Sequence, residues 1–334
     1  MQILKPLKQM IFGLGFALTL SSFSCAQLPV TTGNSTENLT RSNQKTTASS
    51  EITNTGSQTA VSVPGLKNIL VWEVRPPQAE TPVSYLIGTV HAPFDASFQA
   101  PEKVILALKS AARFYMEADV SNAAAINSEI QKFAVDVTRD NQKSLSESEW
   151  ATLKTRLTAQ NLPDPVLMRL RPWFINFMLE SPPSDPAVSP AQIMDQVLMN
   201  TSKAAGVEIG YLETLTEQIQ ALADGVSDDI QFTRLKKNLS QPVKDSIAEL
   251  KRVITAYNSG DLASLAKFDQ EDRAEEPEYY QAIVTARNQN WIKILEPVLK
   301  ERASVVAVGM GHLSGSSSLR SLLETKGFKL QQLK

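Results

Sequence analysis

The chain contains only two histidines, and both end the same four-residue pattern, Gly-x-x-His. His91 ends the segment GTVH at 88–91, and His312 ends the segment GMGH at 309–312. Each segment directly follows a short apolar run, YLI before the first and VVAV before the second. Glycine makes up only 14 of the 334 residues. The repeated spacing therefore favours one shared function over two ordinary loop histidines.

The position of each histidine after an apolar run predicts a place at the edge of a sheet. A buried strand is a rigid base, and a glycine at its carboxyl end lets the backbone turn sharply. A histidine three residues later then projects above the sheet edge, where open α/β sheets bind ligands. If the two strands are neighbours, His91 and His312 meet. Two imidazoles and one carboxylate hold a transition metal and leave open positions for water and substrate.

Three acidic residues are candidates for that carboxylate. Glu117 ends the apolar segment RFYMEAD, and Asp119 follows two residues later, on the same face if the strand continues. Glu213 directly follows the apolar segment VEIGYL. One of them would bind the metal, and another would take a proton from bound water. Burial of an unpaired carboxylate is costly, which favours function for Glu117, whereas Asp119 and Glu213 have helix capping as an alternative.

Arg287 and Asn288 precede Trp291 on a predicted helix and are further candidates for the site. Arg287 would bind a substrate carboxylate or an oxyanion, or would hold Glu117 or Glu213 in place. An ordinary surface ion pair is the alternative for this arginine. The sequence has no Gly-x-Ser-x-Gly, no P-loop and no His-Glu-x-x-His motif.

Hydrophobic periodicity predicts a sheet that is assembled from both ends of the chain. Strands are predicted at 68–74, 83–88, 113–118, 207–212, 304–308 and 328–332, the first two as a hairpin. Helices are predicted at 102–112, near 165–181, 189–205, 214–223, 228–258 and 276–300, and at 317–326. Ser146 and Glu149 form a predicted capping box, and Pro242 is expected to bend or break the longest helix. The fold class is therefore α/β (or α+β), with a mixed central sheet and a large helical insertion at about 121–300.

The first 65 residues are predicted to lie outside the folded domain of 66–334. Lys5 and Lys8 precede an uncharged, mostly apolar run and then small residues, which indicates a signal peptide over residues 1–26. Cys25, the only cysteine, lies where a lipoprotein signal peptide is cut, although ordinary cleavage after Ala26 competes. Residues 27–65 are rich in Ser, Thr and Asn and are predicted to be a disordered linker. The expected location is the periplasm or, through lipidated Cys25, a membrane surface.

Composition excludes two classes of function. The formal net charge is -2 and the sequence pI is about 5.9, without a basic block, so nucleic-acid binding is not expected. A single cysteine at the export boundary excludes intramolecular disulfides, a cysteine-rich metal site and cysteine catalysis.

The motifs resemble those of the TraB/PrgY/GumN family, which includes the animal Tiki proteins. The resemblance covers about residue 70 to the C-terminus. The segments that carry it are YLIGTVH at 85–91, FYMEAD at 114–119, Asp195 in QIMDQVL, GYLETLTEQ at 210–218, ARNQNW at 286–291 and VAVGMGHLSG at 306–315. The one departure noted inside a motif is the apolar Met310.

The resemblance implies a metal-dependent protease that uses the paired histidines and a glutamate. Carried over to this sequence, these residues are His91, His312 and Glu117, with Mn²⁺, Co²⁺ or Zn²⁺ as the metal. Glu213, Arg287 and Asn288 are further site candidates. A peptide or a small molecule would be the substrate. Two alternatives stay open: a non-catalytic exported protein that binds haem or a small peptide, and a metal-free hydrolase with histidine as the general base.

Overall fold

The computed structural model describes residues 68–77, 83–90, 100–180 and 194–333. The predicted signal peptide, Cys25, the predicted linker and His91 lie outside these ranges and stay predictions. The described ranges contain one mixed six-stranded sheet in the order β4-β3-β5-β2-β1-β6. Its strands are β1 (Leu70–Arg75), β2 (Ser84–Thr89), β3 (Arg113–Met116), β4 (Glu208–Tyr211), β5 (Ser304–Gly309) and β6 (Lys329–Leu333).

The sheet is built from both ends of the sequence, as predicted. β1 pairs with β2 and with β6 in antiparallel fashion, which confirms the predicted hairpin partners. β5, from the C-terminal part, inserts between β2 and β3 and is parallel to both, and β3 is also parallel to β4. All six residues of β5 are buried, as expected for a central strand covered on both faces.

The two strands that precede the Gly-x-x-His motifs are direct neighbours. In the parallel register of β2 and β5, Gly88 lies opposite Val308 and Thr89 lies opposite Gly309. The two motifs therefore leave the sheet at the same edge, and the first motif begins one residue earlier in the register than the second. This neighbour relation, on which the convergence of the two motifs depends, is confirmed.

The described ranges contain fourteen α-helices, most of them between β3 and β5. They are α1 (Glu102–Ser110), α2 (Ala123–Ala134), α3 (Asn141–Ser144), α4 (Glu147–Arg156), α5 (Asp164–Leu167), α6 (Pro172–Glu180), α7 (Met194–Ala204), α8 (Leu215–Asp224), α9 (Asp228–Ser240), α10 (Val243–Ser259), α11 (Leu262–Glu275), α12 (Pro277–Tyr280), α13 (Ala286–Glu301) and α14 (Leu319–Thr325). The capping box of Ser146 and Glu149 is present at the start of α4. No helix in the described ranges has both the length and the apolar composition that a bilayer span requires.

Two helix predictions need correction, and one expected break is confirmed. The helix predicted near 165–181 is two helices, α5 and α6. The helix predicted at 228–258 ends at Ser240 and begins again at Val243, which confirms the break expected at Pro242, a residue without a backbone N–H. The helix predicted at 276–300 contains a π-helical segment, Gln281–Thr285, between α12 and α13. The individual helices α2, α3 and α11 were not predicted.

A buried tyrosine fixes the position of the first two strands. The Tyr257 hydroxyl of α10 donates to the Gly88 carbonyl oxygen at 2.5 Å and accepts from the Leu70 N–H at 3.2 Å. Gly88 is in an extended strand, so its role is not the expected sharp turn. A Cβ at this position would lie 2.7 Å from the Met310 sulfur. The glycine of the first motif therefore makes room for Met310 of the second, which accounts for the apolar residue there.

Candidate active site

Residues that follow strands β3, β4 and β5 lie side by side at the carboxyl edge of the sheet. Glu117 follows β3, Glu213 comes two residues after β4, and His312 lies in a short 3₁₀ turn, Met310–Leu313, after β5. The Glu213 N–H donates to the Glu117 carbonyl oxygen at 2.9 Å, which ties two of these segments together. The parallel sheet thus brings together residues that are far apart in the chain.

Arg287, from the first turn of α13, lies at the centre of this group. Its Nη2 donates to Glu117 Oε2 at 2.7 Å and to Glu213 Oε1 at 2.5 Å. Its Nε donates to both Glu213 oxygens, at 3.1 and 3.2 Å. Its Nη1 faces the Ile283 carbonyl oxygen and His312 Nε2, both at 3.2 Å. All five guanidinium N–H groups therefore have protein partners.

The guanidinium stays charged although it is buried. Burial alone would lower the pKa of Arg287, but the charges of Glu213 and Glu117 outweigh burial and raise it. The π-helical segment ends immediately before α13, and Ile283 within it supplies one of the acceptors. Such segments occur often at functional sites. Arg287 is 6% exposed, so its interpretation as a surface ion pair is wrong.

Glu117 is buried and hydrogen-bonded on both oxygens. Its Oε1 accepts from the Gly309 backbone N–H at 2.8 Å. Its Oε2 accepts from Gln218 Nε2 at 3.1 Å and from Arg287. β3 ends at Met116, so the two-residue alternation of a strand does not extend to Asp119, which does not join this group. Asp119 instead accepts from the Ser121 N–H at 3.0 Å and from the Tyr211 hydroxyl.

The surroundings of His312 define its tautomer. Asn288 Nδ2 donates to the carbonyl oxygens of His312 and Ser317, so Asn288 Oδ1 is the acceptor for His312 Nδ1 at 2.8 Å. The proton of the neutral ring is therefore on Nδ1, and Nε2 presents its lone pair to Arg287. The ring is fully buried and lies 4.4 Å from Trp291, centroid to centroid. Asn288 orients the imidazole, as a site residue would.

Glu213 is held by Arg287 and by Trp291, whose Nε1 donates to Oε2 at 3.1 Å. Burial raises the pKa of Glu213 above 4.5, and the charge and hydrogen bonds of Arg287 oppose this shift. The N-cap of α8 is Thr214, so the alternative in which Glu213 caps that helix is wrong. A carboxylate with a raised pKa at the edge of a sheet is suited to acid–base chemistry.

The site cluster, defined here as Glu117, Glu213, Arg287 and His312, gathers four ionisable groups in a buried place. Two carboxyl groups face one guanidinium and one imidazole. Buried ion pairs contribute little net stability, because the loss of hydration offsets their attraction. The cluster is therefore better explained by function than by stability.

The structure brings together most of the site residues predicted from the sequence. Glu117, Glu213, Arg287, Asn288 and His312 all lie within the site, and His91 lies outside the described residues. Gln218 and Trp291 also donate to the two glutamates and were not predicted as site residues. A polar Gln218 on the inward face of an amphipathic helix was the available signal. For Trp291, nothing in the sequence distinguished the site from ordinary core packing.

The described donors fit a metal ion only after a movement of Arg287. His312 Nε2 and Glu117 Oε2, the lone pairs that a metal would bind, face Arg287 Nη1 and Nη2 at 3.2 and 2.7 Å. A permanent guanidinium charge at these distances repels a divalent cation. In the part of the chain that the structure describes, no group of three His, Cys, Asp or Glu side chains is arranged to hold a metal.

A large cleft opens on the Glu213 side of the site cluster. Its volume is about 1070 Å³, and Glu213, Arg287 and Trp291 line it. Of the cluster, Glu213 and Arg287 are the two members that line this cleft. A substrate in the cleft would therefore lie against Glu213, the carboxylate with the raised pKa, and against Arg287.

Comparison with known proteins identifies one relationship. Residues 70–332 match the family model described as the TraB/PrgY/gumN family. No curated protein and no solved structure matches the chain. The matched range contains every described strand except the last residue of β6, together with the whole site cluster.

Proposed function

The chain belongs to the TraB/PrgY/gumN family, and we propose that it is a hydrolase, most simply a peptidase, that works through the site cluster. One observation carries this proposal. Glu117, Glu213, Arg287 and His312 come from four separate segments and meet in one buried network beside a cleft. Such a network costs hydration free energy and gains little stability in return, so a chemical role is the better account of it.

Glu213 is assigned as the proton acceptor. It lines the cleft, and burial raises its pKa while Arg287 keeps the carboxylate form accessible. A general base works best when its pKa approaches the working pH. Glu213 would take a proton from water as the water oxygen adds to the substrate carbonyl carbon. The carbon–nitrogen bond then breaks, and the same proton passes to the leaving amine.

Arg287 acts through its charge. Because all its N–H groups have protein partners, it has no free donor for the oxyanion that forms on the carbonyl. Its positive charge at the end of the cleft still stabilises developing negative charge in a buried environment. Glu117 and His312 hold the guanidinium through its Nη2 and Nη1 atoms. Gln218 and Asn288 orient these two residues. They are positioning residues in this proposal.

The metal-dependent version, with His91, His312 and Glu117 as ligands, is the second candidate. The ligand types favour it, because imidazole and carboxylate groups are common ligands of transition metals. It requires Arg287 to leave His312 Nε2 and Glu117 Oε2. The haem-binding alternative needs the same nitrogen of His312 and has no observation in its favour.

A screen with defined peptides tests the proposal. We expect the purified full chain to cleave members of a synthetic peptide mixture, with new fragments detected by mass spectrometry. His312→Asn should lower the cleavage rate by at least about 100-fold, because Arg287 and Glu213 lose their orientation. Circular dichroism would show that this variant is folded. Absence of any cleavage, or equal cleavage by the variant, would reject the proposal.

A further inference from the structure

The cleft beside the site cluster is large enough for a peptide segment. It lies beyond the carboxyl ends of β3 and β4, where Asp119 and Tyr211 form part of its wall. The opposite wall comes from the first turns of α13. Its volume of about 1070 Å³ is slightly above the usual range for small-molecule pockets, roughly 300–1,000 Å³. The cleft therefore has room for a peptide segment.

The described lining of the cleft is acidic, with Asp119, Glu213, Glu217 and Asp224. Arg287, the one basic side chain among the described lining residues, pairs with Glu213, and Arg171 outside the lining pairs with Asp224 at 2.9 Å. Asp119 and Glu217 carry the remaining negative charge. Hydrogen bonds from the backbone and side chain of Thr214 lower the pKa of Glu217. Burial acts to raise the pKa of Asp119, but hydrogen bonds from Ser121 and Tyr211 outweigh it and lower the pKa. These two carboxylates are therefore ionised at neutral pH and favour a positively charged ligand.

Between the acidic groups, the cleft wall is aliphatic. Ala221, Ala282 and Ala286 line it, and Ile294 lies at its rim, 39% exposed. The aliphatic stem of a lysine or arginine side chain fits this surface, with its charged end on a carboxylate.

A sheet edge leads into the cleft. Among the described strands, β4 has a partner on one side only, which is β3. Its last residue, Tyr211, is part of the cleft wall. An extended peptide can add to such an edge through its backbone and so enter the cleft in a defined direction. A small diamine would make no use of this edge.

We infer that the cleft binds an extended peptide through a lysine or arginine side chain and places the neighbouring peptide bond at Glu213. Asp119 and Glu217 recognise the charge, and the wall between α8 and α13 holds the aliphatic stem. This inference rests on the proposed hydrolase for its cleavage step, whereas the binding step stands independently. The ligand is a basic peptide and not a free amine.

Binding of matched peptides tests the inference without need of turnover. The probes are two fluorescein-labelled nine-residue peptides with blocked ends, identical except for lysine or glutamine at the centre. Fluorescence anisotropy with the full chain should give about three- to tenfold tighter binding of the lysine peptide, because partly exposed charge pairs contribute modestly. Mass spectrometry would verify that the peptides are intact. Binding without cleavage would support this inference and reject the proposed hydrolase.

Variants that remove negative charge test whether Asp119 and Glu217 recognise the lysine side chain. The double variant Asp119→Asn/Glu217→Gln should reduce the lysine preference to less than about twofold. Both replacements keep their hydrogen-bond acceptors, and glutamine preserves the capping box of α8. Glu147→Gln, in the exposed first turn of α4 and outside the cleft lining, should leave the preference unchanged. Four results would overturn the inference. The two peptides could bind equally, or neither could bind. The double variant could keep the lysine preference, or cadaverine could displace the bound peptide as effectively as unlabelled lysine peptide does.

Discussion

Replacing Arg287 by methionine should lower the free energy of unfolding by about 3–5 kcal/mol at neutral pH, because it leaves buried carboxylates without their cation. Glu117 and Glu213 both depend on this guanidinium, and each has a side chain that is 8% exposed. Methionine preserves much of the volume of the side chain and none of the charge. Urea denaturation, followed by the fluorescence of the tryptophans, would measure the difference.

The loss of stability in Arg287→Met should depend on pH. Burial already raises the pKa of Glu213, and removal of Arg287 removes the main opposing influence, so the folded-state pKa rises further. A folded state with a raised carboxyl pKa binds more protons than the unfolded state, so its stability falls as the pH rises. The difference between wild type and variant should therefore be largest above about pH 7 and shrink toward about pH 4.5, the ordinary glutamate value.

A second substitution provides the control for Arg287→Met. In Arg287→Met/Glu213→Gln, one of the two uncompensated carboxylates is gone, so part of the lost stability should return. A destabilisation of less than about 1 kcal/mol in Arg287→Met would show that the carboxylates do not need this cation. A loss that does not vary with pH would assign the effect to packing instead.

Replacing Glu213 by glutamine should lower kcat by about 10²–10⁴-fold on any peptide that the wild type cleaves, because the proton acceptor is lost. Glutamine keeps the size of the side chain and can accept from Trp291. Steady-state kinetics on the peptide cleaved fastest would measure the change. The wild-type rate should rise with pH through a midpoint above 4.5, since burial raises the pKa of Glu213.

The chain offers a matched control for Glu213→Gln in a second buried network. Glu180 accepts from Arg234 at 2.6 Å and from Asn238 at 2.7 Å, in helices outside the site. Glu180→Gln should lower stability and leave kcat per folded molecule at the wild-type value. A variant Glu213→Gln that retains the wild-type pH profile would remove Glu213 from the role of proton acceptor.

Much of the framework could be predicted from local signals. The apolar runs before each Gly-x-x-His motif are strands β2 and β5, and the parallel pairing makes them neighbours. Glu117 stood out because a carboxylate at the end of an apolar strand needs a partner. Its partner, Arg287, is 170 residues away, and sequence spacing carries no information on such a contact.

The errors have physical causes as well. Arg287 was open to interpretation as a surface residue because arginine is seldom buried, and here two carboxylates and an imidazole compensate its burial. The break at Pro242 followed from the missing N–H of proline, whereas the π-helical segment before Arg287 has no sequence rule that predicts it. Gly88 was explained by backbone freedom, although its role is to admit Met310.

Arg287, a permanent cation of the chain, lies against His312 Nε2 and Glu117 Oε2, the lone pairs that a metal would bind, and the proposed reaction therefore needs no metal. The most direct test of a metal-free reaction measures turnover and metal content in one sample, before and after dialysis against a strong chelator. We predict full turnover of the cleaved peptide with far less than one metal ion per chain, as determined by elemental analysis. Turnover that falls in proportion to bound metal, and returns when the metal is restored, would contradict the claim.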